Sequence, residues 1–293
     1  MPAIPRRPLL ALGARWMAGA ALSFTVMAAC ARLLGPRIPT YEKIFARSVF
    51  SAVLTLWMLR RVHISWRPRR PWLLAARALV GFVSLTCYFE AIARIPLGNA
   101  VVLLYINPVV AGVLAAIFLR EPFRRGQAVA TLVCLAGVAL LARPAPGVPL
   151  LGSLFGFATG VLSGLAYTIV RGLNRSGEHH LVIVLSFPVL SIPIALALGA
   201  PAFVWPRGIE WLWLLALGLT TQAGQLCLTQ GLRHEGTARA TQIGFLAPVF
   251  GILLGIPLGD GLPGWSSLAG AAVIVAAVVG YRPAPDRPPR PVG

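Results

Sequence analysis

The sequence predicts an all-α integral membrane protein in which ten transmembrane helices form two inverted five-helix repeats around a central cavity. Three observations lead to this fold class. Of the 293 residues, 57% are hydrophobic and only 12% are charged, a smaller share of charge than soluble domains carry. Apolar runs of about 16 to 22 residues recur along the whole chain, close to the length of a membrane-spanning helix. The second half of the chain also repeats the pattern of the first half.

Each apolar run matches the roughly 20 helical residues that cross the hydrocarbon core of a bilayer. The connections between the runs are short, so the chain has no room for a soluble catalytic domain. We therefore expect the function to lie within the membrane, with the lipid bilayer as a partner. In chain order, the predicted spans are 16–34, 41–59, 72–93, 98–119, 127–142, 151–170, 181–200, 211–230, 238–258 and 265–280.

The positive charges predict the topology. A net charge of +18 would indicate nucleic-acid binding in a soluble protein, but in a membrane protein the distribution of the charges matters more. With a cytoplasmic N-terminus, nineteen of the 26 Lys and Arg residues fall in inside segments. The positive-inside rule thus places both termini in the cytoplasm. We expect the protein to lie in a bacterial cytoplasmic (inner) membrane and to have no nucleic-acid partner. The seven on the other side are Arg32, Arg37, Lys43, Arg47, Arg94, Arg143 and Arg207.

An internal repeat divides the chain into two halves. Shifting the sequence by 140 residues places Leu103–Leu114 over Ile243–Leu254, with Pro108 on Pro248. Two halves of five spans are implied, and because five is odd, the halves must cross the membrane in opposite orientations. The predicted units are a first five-helix repeat at 1–142, a second at 150–281 and a cytoplasmic Pro/Arg-rich tail at 282–293.

Two prolines at equivalent positions predict paired helix bends. A proline inside a helix removes a backbone hydrogen bond, and lipid tolerates this only where protein or a water-filled cavity satisfies the freed carbonyl. Since Pro108 and Pro248 superpose in the repeat, we expect both to bend their helices beside the central cavity. The same shift places Tyr105 on Phe245.

The third and fourth spans carry a family resemblance. The block "ARALVGFVSLTCYFEAIARIPLGNAVVLLYINPVVAGVLAAIFLREPF" at Ala76–Phe123 resembles the EamA-type family of the drug/metabolite transporter superfamily, which includes bacterial amino-acid exporters. The second copy departs from it, with "LGDG" at Leu258–Gly261 and no "IP" before span nine. The resemblance implies a secondary transporter of small metabolites, with a cavity lined by spans one, three, four, six, eight and nine. Its motif residues here are Arg77, Tyr88, Ala91, Ile95, Pro96, Pro108, Leu119 and Glu121.

Polar side chains inside the spans indicate candidate substrate-binding residues. Span eight is rich in them, and Gln222, Gln225 and Thr229 are spaced to share one helical face. The functional interpretation is a hydrogen-bonding cavity with aromatic walls. The alternative is that these amides and hydroxyls hold helices together, and the pattern leaves both open. The candidate substrate-binding residues are Tyr88, Tyr105, Asn107, Tyr167, Gln222, Gln225 and Gln242.

Few charged residues fall inside the spans. Glu90 is a candidate proton-coupling carboxylate, but its spacing from Arg94 favours an i,i+4 salt bridge. Glu121 at the end of span four is expected to take part either in a helix-end ion pair or in a gate. We expect Arg47 to belong to an outer-surface cluster. Because we expect no Lys or Arg near mid-membrane, the sequence predicts a small neutral or zwitterionic substrate such as an amino acid.

Other classes of function lack their characteristic residues. A membrane-embedded enzyme would need catalytic groups at membrane depth, but His63, His179, His180 and His234 all fall in loops. We therefore predict no catalytic residue, no metal and no cofactor. A channel is disfavoured by the inverted repeat, and an uptake permease remains the alternative to an exporter. The predicted protein is a monomer or weak homodimer, and the sequence leaves proton coupling and facilitated diffusion as alternatives.

Overall fold

The computed structural model of the protein describes residues 12–64, 67–95, 97–121, 125–142, 146–260 and 262–281. Within these ranges the regular structure is entirely helical and contains no β-strand. The predicted tail at 282–293 and Pro96 of the sequence motif lie outside the described residues. The side chain of Asp260 is likewise not described.

A helix lies at each of the ten predicted spans, and spans four and nine each consist of two helices. A 3₁₀ turn at Ala200–Ala202 follows α8, and a π-helical turn at Ile256–Asp260 follows α11. The helices are α1 (Leu12–Leu33), α2 (Thr40–Arg61), α3 (Pro71–Arg94), α4 (Leu97–Leu104), α5 (Asn107–Phe118), α6 (Arg125–Ala142), α7 (Leu150–Arg175), α8 (His180–Gly199), α9 (Glu210–His234), α10 (Thr237–Gly244), α11 (Leu246–Gly255) and α12 (Trp265–Gly280).

Eight described segments are long and apolar enough to cross a membrane, which makes the chain a multi-pass membrane protein. Helix α12 is apolar but shorter, and α2 is 22 residues long but carries charge at both ends. The eight segments are Leu12–Leu33, Pro71–Ala91, Asn99–Phe118, Arg125–Ala142, Leu150–Arg175, His180–Ala202, Glu210–His234 and Thr237–Gly259.

Both paired prolines follow an interruption of the helix. Helix α4 ends at Leu104, four residues before Pro108, and α10 ends at Gly244, four residues before Pro248. This is the position whose carbonyl clashes with a proline ring, so the helix breaks there rather than at the proline itself. At the second break the Phe245 N–H donates to the Gln242 carbonyl, three residues back, at 3.2 Å. The interruptions lie beside the central cavity.

Small residues let the broken helix approach its neighbour. Gly156, Gly160 and Gly164 of α7 lie one turn apart and face α4 and α5. A Cβ atom at Gly160 would stand 2.5 Å from the carbonyl oxygen of Leu103, so only glycine permits this contact. Glycine therefore allows two helix backbones to pack closely, as is common in membrane bundles.

The helix ends meet at two opposite ends of the bundle. At one end, the backbone N–H groups of Arg69 and Arg70 donate to Glu178, and Glu121 contacts α7 and α10. We call this the Glu121 end. At the opposite end, Arg37 forms an ion pair with Glu210. The cavity described below lies between these two ends.

Candidate functional site

A central cavity of about 260 Å³ lies between the helices. The six spans implied by the sequence resemblance all contribute to its wall, as helices α1, α3, α4–α5, α7, α9 and α10–α11. Helices α2 and α8 contribute as well, through Arg47 and Phe187. The cavity is therefore built from both halves of the chain.

Two buried arginines contact the same phenyl ring in the cavity wall. Arg77 is 4% exposed and Arg47 is 6% exposed, and both line the cavity. Their guanidinium carbons lie 5.0 and 5.5 Å from the ring centroid of Phe187, respectively. The Nη2 atom of Arg77 donates to Oε1 of Gln225 at 2.7 Å. The wall thus contains two cations and an aromatic ring within contact distance of both.

The described residues do not supply hydrogen-bond acceptors for all the nitrogens of these two arginines. Nε and Nη1 of Arg77 and Nε of Arg47 are buried without a hydrogen-bond partner among the described residues. Nη1 of Arg47 reaches only the sulfur of Met27, at 3.6 Å. No Asp or Glu belongs to the described cavity wall. A buried cation without a counter-charge is costly, so the cavity holds positive charge that the fold does not neutralise.

The arginines correct two sequence expectations. Arg47 does not join an outer-surface cluster, because the first turns of α2 present it to the cavity. The expectation that no Lys or Arg approaches mid-membrane is also wrong, since Arg77 lies roughly two turns inside α3. The available signal was the position of each arginine beyond the first turn of its span. A charge at that depth marks a functional group by default.

Five of the seven candidate substrate-binding residues line the cavity. Tyr105 stacks on Phe245, its equivalent in the repeat, with ring centroids 5.3 Å apart and an interplanar angle of 28°. A hydrogen bond of 2.8 Å joins the hydroxyls of Ser84 and Ser163 in the same wall. The aromatic and polar lining therefore surrounds the arginines. The five candidates are Tyr88, Tyr105, Asn107, Tyr167 and Gln225.

Gln222 and Gln242 do not line the cavity, contrary to the prediction. Oε1 of Gln222 accepts from the Ser51 hydroxyl at 2.6 Å, and its Nε2 donates to Thr55 at 2.9 Å, both on α2. Gln242 donates to the Ala277 carbonyl of α12 at 3.3 Å. Gln222 thus bonds α2 through both ends of its amide and Gln242 bonds α12, which is the alternative role left open by the sequence.

Glu90 forms the i,i+4 ion pair with Arg94 that its spacing favoured. The two side chains are 41% and 39% exposed, at the end of α3 opposite the Glu121 end. Arg94 also stacks on Phe155, with its guanidinium carbon 5.2 Å from the ring centroid. An exposed pair of this kind contributes little to stability, and it lies outside the cavity wall.

Glu121 joins four helices at its end of the bundle. Its Oε1 accepts from Nε of Arg171 on α7 at 2.7 Å, and its Oε2 accepts from the Thr237 N–H at the start of α10 at 2.8 Å. Arg171 also donates to the carbonyls of Leu232 and Arg233 at the end of α9, at 2.8 and 3.0 Å. The carboxylate thus has two hydrogen-bond partners and the guanidinium has three, and together they tie the end of α5 to α7, α9 and α10.

The described residues contain no group of three or more His, Cys, Asp or Glu side chains that could hold a metal ion. The four cysteines are all free thiols. The chemistry available in the cavity is therefore hydrogen bonding, aromatic packing and positive charge.

Comparisons with known proteins match both halves of the chain. Residues 11–143 and 150–281 each match the EamA-like transporter family. The chain is 28% identical over 263 residues to the pseudopaline exporter CntI of Pseudomonas aeruginosa, covering 89% of this chain and 92% of that protein. It is 24% identical over 220 residues to solute carrier family 35 member G1 of Mus musculus, covering 70% and 60% respectively.

One solved crystal structure shares the fold. It superposes with a TM-score of 0.78 at 22% sequence identity, over 92% of this chain and 96% of that one. An uncharacterized transporter of Helicobacter pylori is 25% identical over 270 residues, covering 87% of this chain and 89% of the bacterial protein. The similarity to these proteins extends over nearly the full length of the chain.

Proposed function

The chain belongs to the EamA-like transporter family, and we propose that it is a secondary transporter that exports or exchanges a small organic metabolite, such as an amino acid, by alternating access. The observation that carries this proposal is the central cavity of about 260 Å³, with a polar and aromatic wall drawn from both halves of the chain. A carrier requires such a site between two units that move against each other.

Helix packing supports the proposal of ten spans in two inverted repeats. Exchanging the halves turns the contact of α1 with α9 into that of α7 with α3, and both contacts are extensive. The same exchange relates the contact of α5 with α7 to that of α11 with α1, while α2–α8 and α6–α12 map onto themselves. The equivalent helix interruptions before Pro108 and Pro248 fit the same symmetry.

The proposed location is the bacterial cytoplasmic membrane, with the Glu121 end and both termini in the cytoplasm. The split of Lys and Arg, which is eighteen to six once the cavity residues Arg77 and Arg47 are left out, supports this orientation. A reporter that is active only outside the cytoplasm is expected to be silent when fused after Arg70, Arg125 or Arg290. It is expected to be active when fused after Pro146 or Pro206. The reverse pattern would exchange the two faces of the transporter.

The Glu121 cluster supports an alternating-access mechanism with a gate at the cytoplasmic end. It joins the first half of the chain, through Glu121, to Arg171 and Thr237 of the second half. Movement of one half against the other would break these two bonds. In the conformation described here they are intact, so this end is held together.

Export is favoured over uptake, because the pseudopaline exporter relative covers nearly the whole chain. A membrane-embedded enzyme has less support. The cavity wall contains no Asp, Glu, His or Cys among the described residues that line it, which leaves few groups for acid–base chemistry. Tyrosine and arginine in this wall serve recognition better than proton transfer.

The proposal is tested by counterflow into proteoliposomes that contain the purified protein, with radiolabelled amino acids and short organic acids as the panel. A carrier gives uptake that saturates and that internal unlabelled solute accelerates. Protein-free liposomes provide the control. Flux that does not saturate and shows no counterflow would indicate a channel, and the absence of flux for the whole panel would contradict the proposed substrate range.

A further inference from the structure

The positive charge of the cavity has no counter-charge among the described residues of its wall. The chain has eight acidic residues, and none of them belongs to the described wall. Glu90, Glu121 and Glu210 form ion pairs with arginines elsewhere. Glu42 accepts from the Val204 N–H at 2.9 Å, and Glu178 accepts from two backbone N–H groups.

The remaining three acidic residues are also far from the site in the chain. Glu235 follows the end of α9 at the Glu121 end, and Asp260 ends the turn after α11 at the opposite end. Asp286 lies in the tail beyond the described residues. Since the described carboxylates are engaged elsewhere, we look for the partner of Arg47 and Arg77 in a bound anion.

The two arginines indicate the chemical class of this anion. Gln225 holds one nitrogen of Arg77, which leaves Nε and Nη1 of Arg77 and Nε of Arg47 without partners among the described residues. Two guanidinium groups in one wall supply charged donors for the two oxygens of a carboxylate. A phosphate group has a third terminal oxygen, and the described wall offers no Lys and no further Arg to bind it.

The remaining wall is suited to the organic body of the ligand. Phe187 lies against both guanidinium groups, while Tyr88, Tyr105 and Tyr167 provide aromatic surface around them. A volume of 260 Å³ corresponds to roughly nine water molecules at about 30 Å³ each, so the site accommodates a solute of about ten non-hydrogen atoms.

We propose that Arg47 and Arg77 bind the carboxylate of the transported solute, so that the substrates of this protein are small organic acids. This inference rests on the proposed transport function and names its substrate class. An amino acid belongs to the class through its carboxylate, whereas organic cations and neutral sugars do not. Of the neutral or zwitterionic substrates expected from the sequence, the inference keeps those that carry a carboxylate.

Binding to the detergent-solubilised protein tests the inference without requiring transport. The probes are acids paired with amides of nearly the same shape, in which a neutral carboxamide replaces the carboxylate: phenylacetate with phenylacetamide, glutarate with glutaramide, and phenylalanine with phenylalaninamide, which keeps its amino group. Benzylphosphonate represents the phosphate-like anions. The measured quantity is the rise in melting temperature with probe concentration, from which an apparent affinity is obtained.

We expect at least one acid to raise the melting temperature while its amide does not, and Arg77→Met and Arg47→Met each to weaken that acid on the order of 100-fold. Arg94→Met is the matched control, because this arginine lies on the same helix as Arg77 but outside the cavity wall, and it should leave the affinity unchanged. Arg77→Lys retains the charge and is expected to weaken binding about tenfold. It serves as the second variant should Arg77→Met fail to fold.

Three results would overturn the inference: acids and amides that behave alike in every pair, an acid effect that persists in both Met variants, or benzylphosphonate binding more tightly than every acid. Counterflow on the same preparation separates this inference from the proposed function. Acid binding without counterflow would contradict the transporter and retain the carboxylate site. Counterflow of solutes regardless of charge would do the reverse.

Discussion

Arginine side chains are at least partly buried at the Glu121 end and in the central cavity, and their surroundings differ. At the Glu121 end, Arg171 bonds a carboxylate and two backbone carbonyls, and the carboxylate also accepts from a backbone N–H. In the central cavity, Arg47 and Arg77 keep three nitrogens without partners among the described residues. A buried charge with its full set of partners stabilises the arrangement around it. A buried charge without them costs stability and is kept only where something else supplies the partner.

The largest effect on stability is expected at the Glu121 end. Glu121→Gln removes the charge that faces Arg171 and one of the two acceptor oxygens, while the guanidinium is only 18% exposed. We expect the free energy of unfolding to fall by about 2 kcal/mol, measured as a lower melting temperature in detergent. Arg175→Met is the control, because Arg175 is 49% exposed and lies 3.9 Å from the same carboxylate, so its loss should cost much less. Equal effects of the two variants would show that the network is not cooperative.

A pair of glutamines on α9 sharpens the comparison. Gln222→Leu removes both hydrogen bonds to α2, so we expect a loss of about 1 kcal/mol in stability with substrate affinity unchanged. Gln225→Leu removes the oxygen that holds Nη2 of Arg77 in place, and we expect the affinity for substrate to weaken about tenfold. Melting temperature and counterflow affinity on the same preparation separate the two. A loss of affinity in Gln222→Leu as large as in Gln225→Leu would place both amides in the binding site.

The smallest effect is expected at Glu90. Its ion pair with Arg94 is exposed and spans one helical turn, so Glu90→Gln should change stability by less than about 0.5 kcal/mol. Because the pair lies outside the cavity wall, we also expect the pH dependence of transport to stay unchanged. A variant that transports normally but no longer responds to a proton gradient would instead identify Glu90 as the coupling carboxylate.

Much of the fold could be predicted from the sequence, because apolar length and proline position act locally. A helix lies at every predicted span, and both helix interruptions fall four residues before the paired prolines. The steric clash of a proline ring depends only on its own helix, so no knowledge of the neighbours is needed. Five of the seven candidate residues also reach the cavity, since polar hydroxyl and amide groups are costly in lipid-facing positions.

The rotation of each helix could not be predicted in the same way. Gln222 and Gln225 are about 60° apart around α9, and this difference turns one toward α2 and the other toward the cavity. Arg47 and Arg77 lie close enough to their helix ends to be interpreted as topology signals. Only the packing of α2 and α3 against α8 brings both arginines onto Phe187. Such a site depends on three helices at once, whereas a sequence pattern describes one.

The sign of one stability change shows whether Arg47 supports the fold or is held for a ligand. Arg47→Met replaces an unsatisfied buried cation with an apolar side chain of comparable length next to Met27. Without ligand, we predict that the variant melts at the same temperature as the native protein or higher, with a gain of about 1 kcal/mol, because the uncompensated charge is removed. The measurement is the apparent melting temperature of both proteins in the same detergent at a fixed scan rate. A fall as large as that of Glu121→Gln would show that Arg47 supports the fold and would contradict its assignment to a ligand.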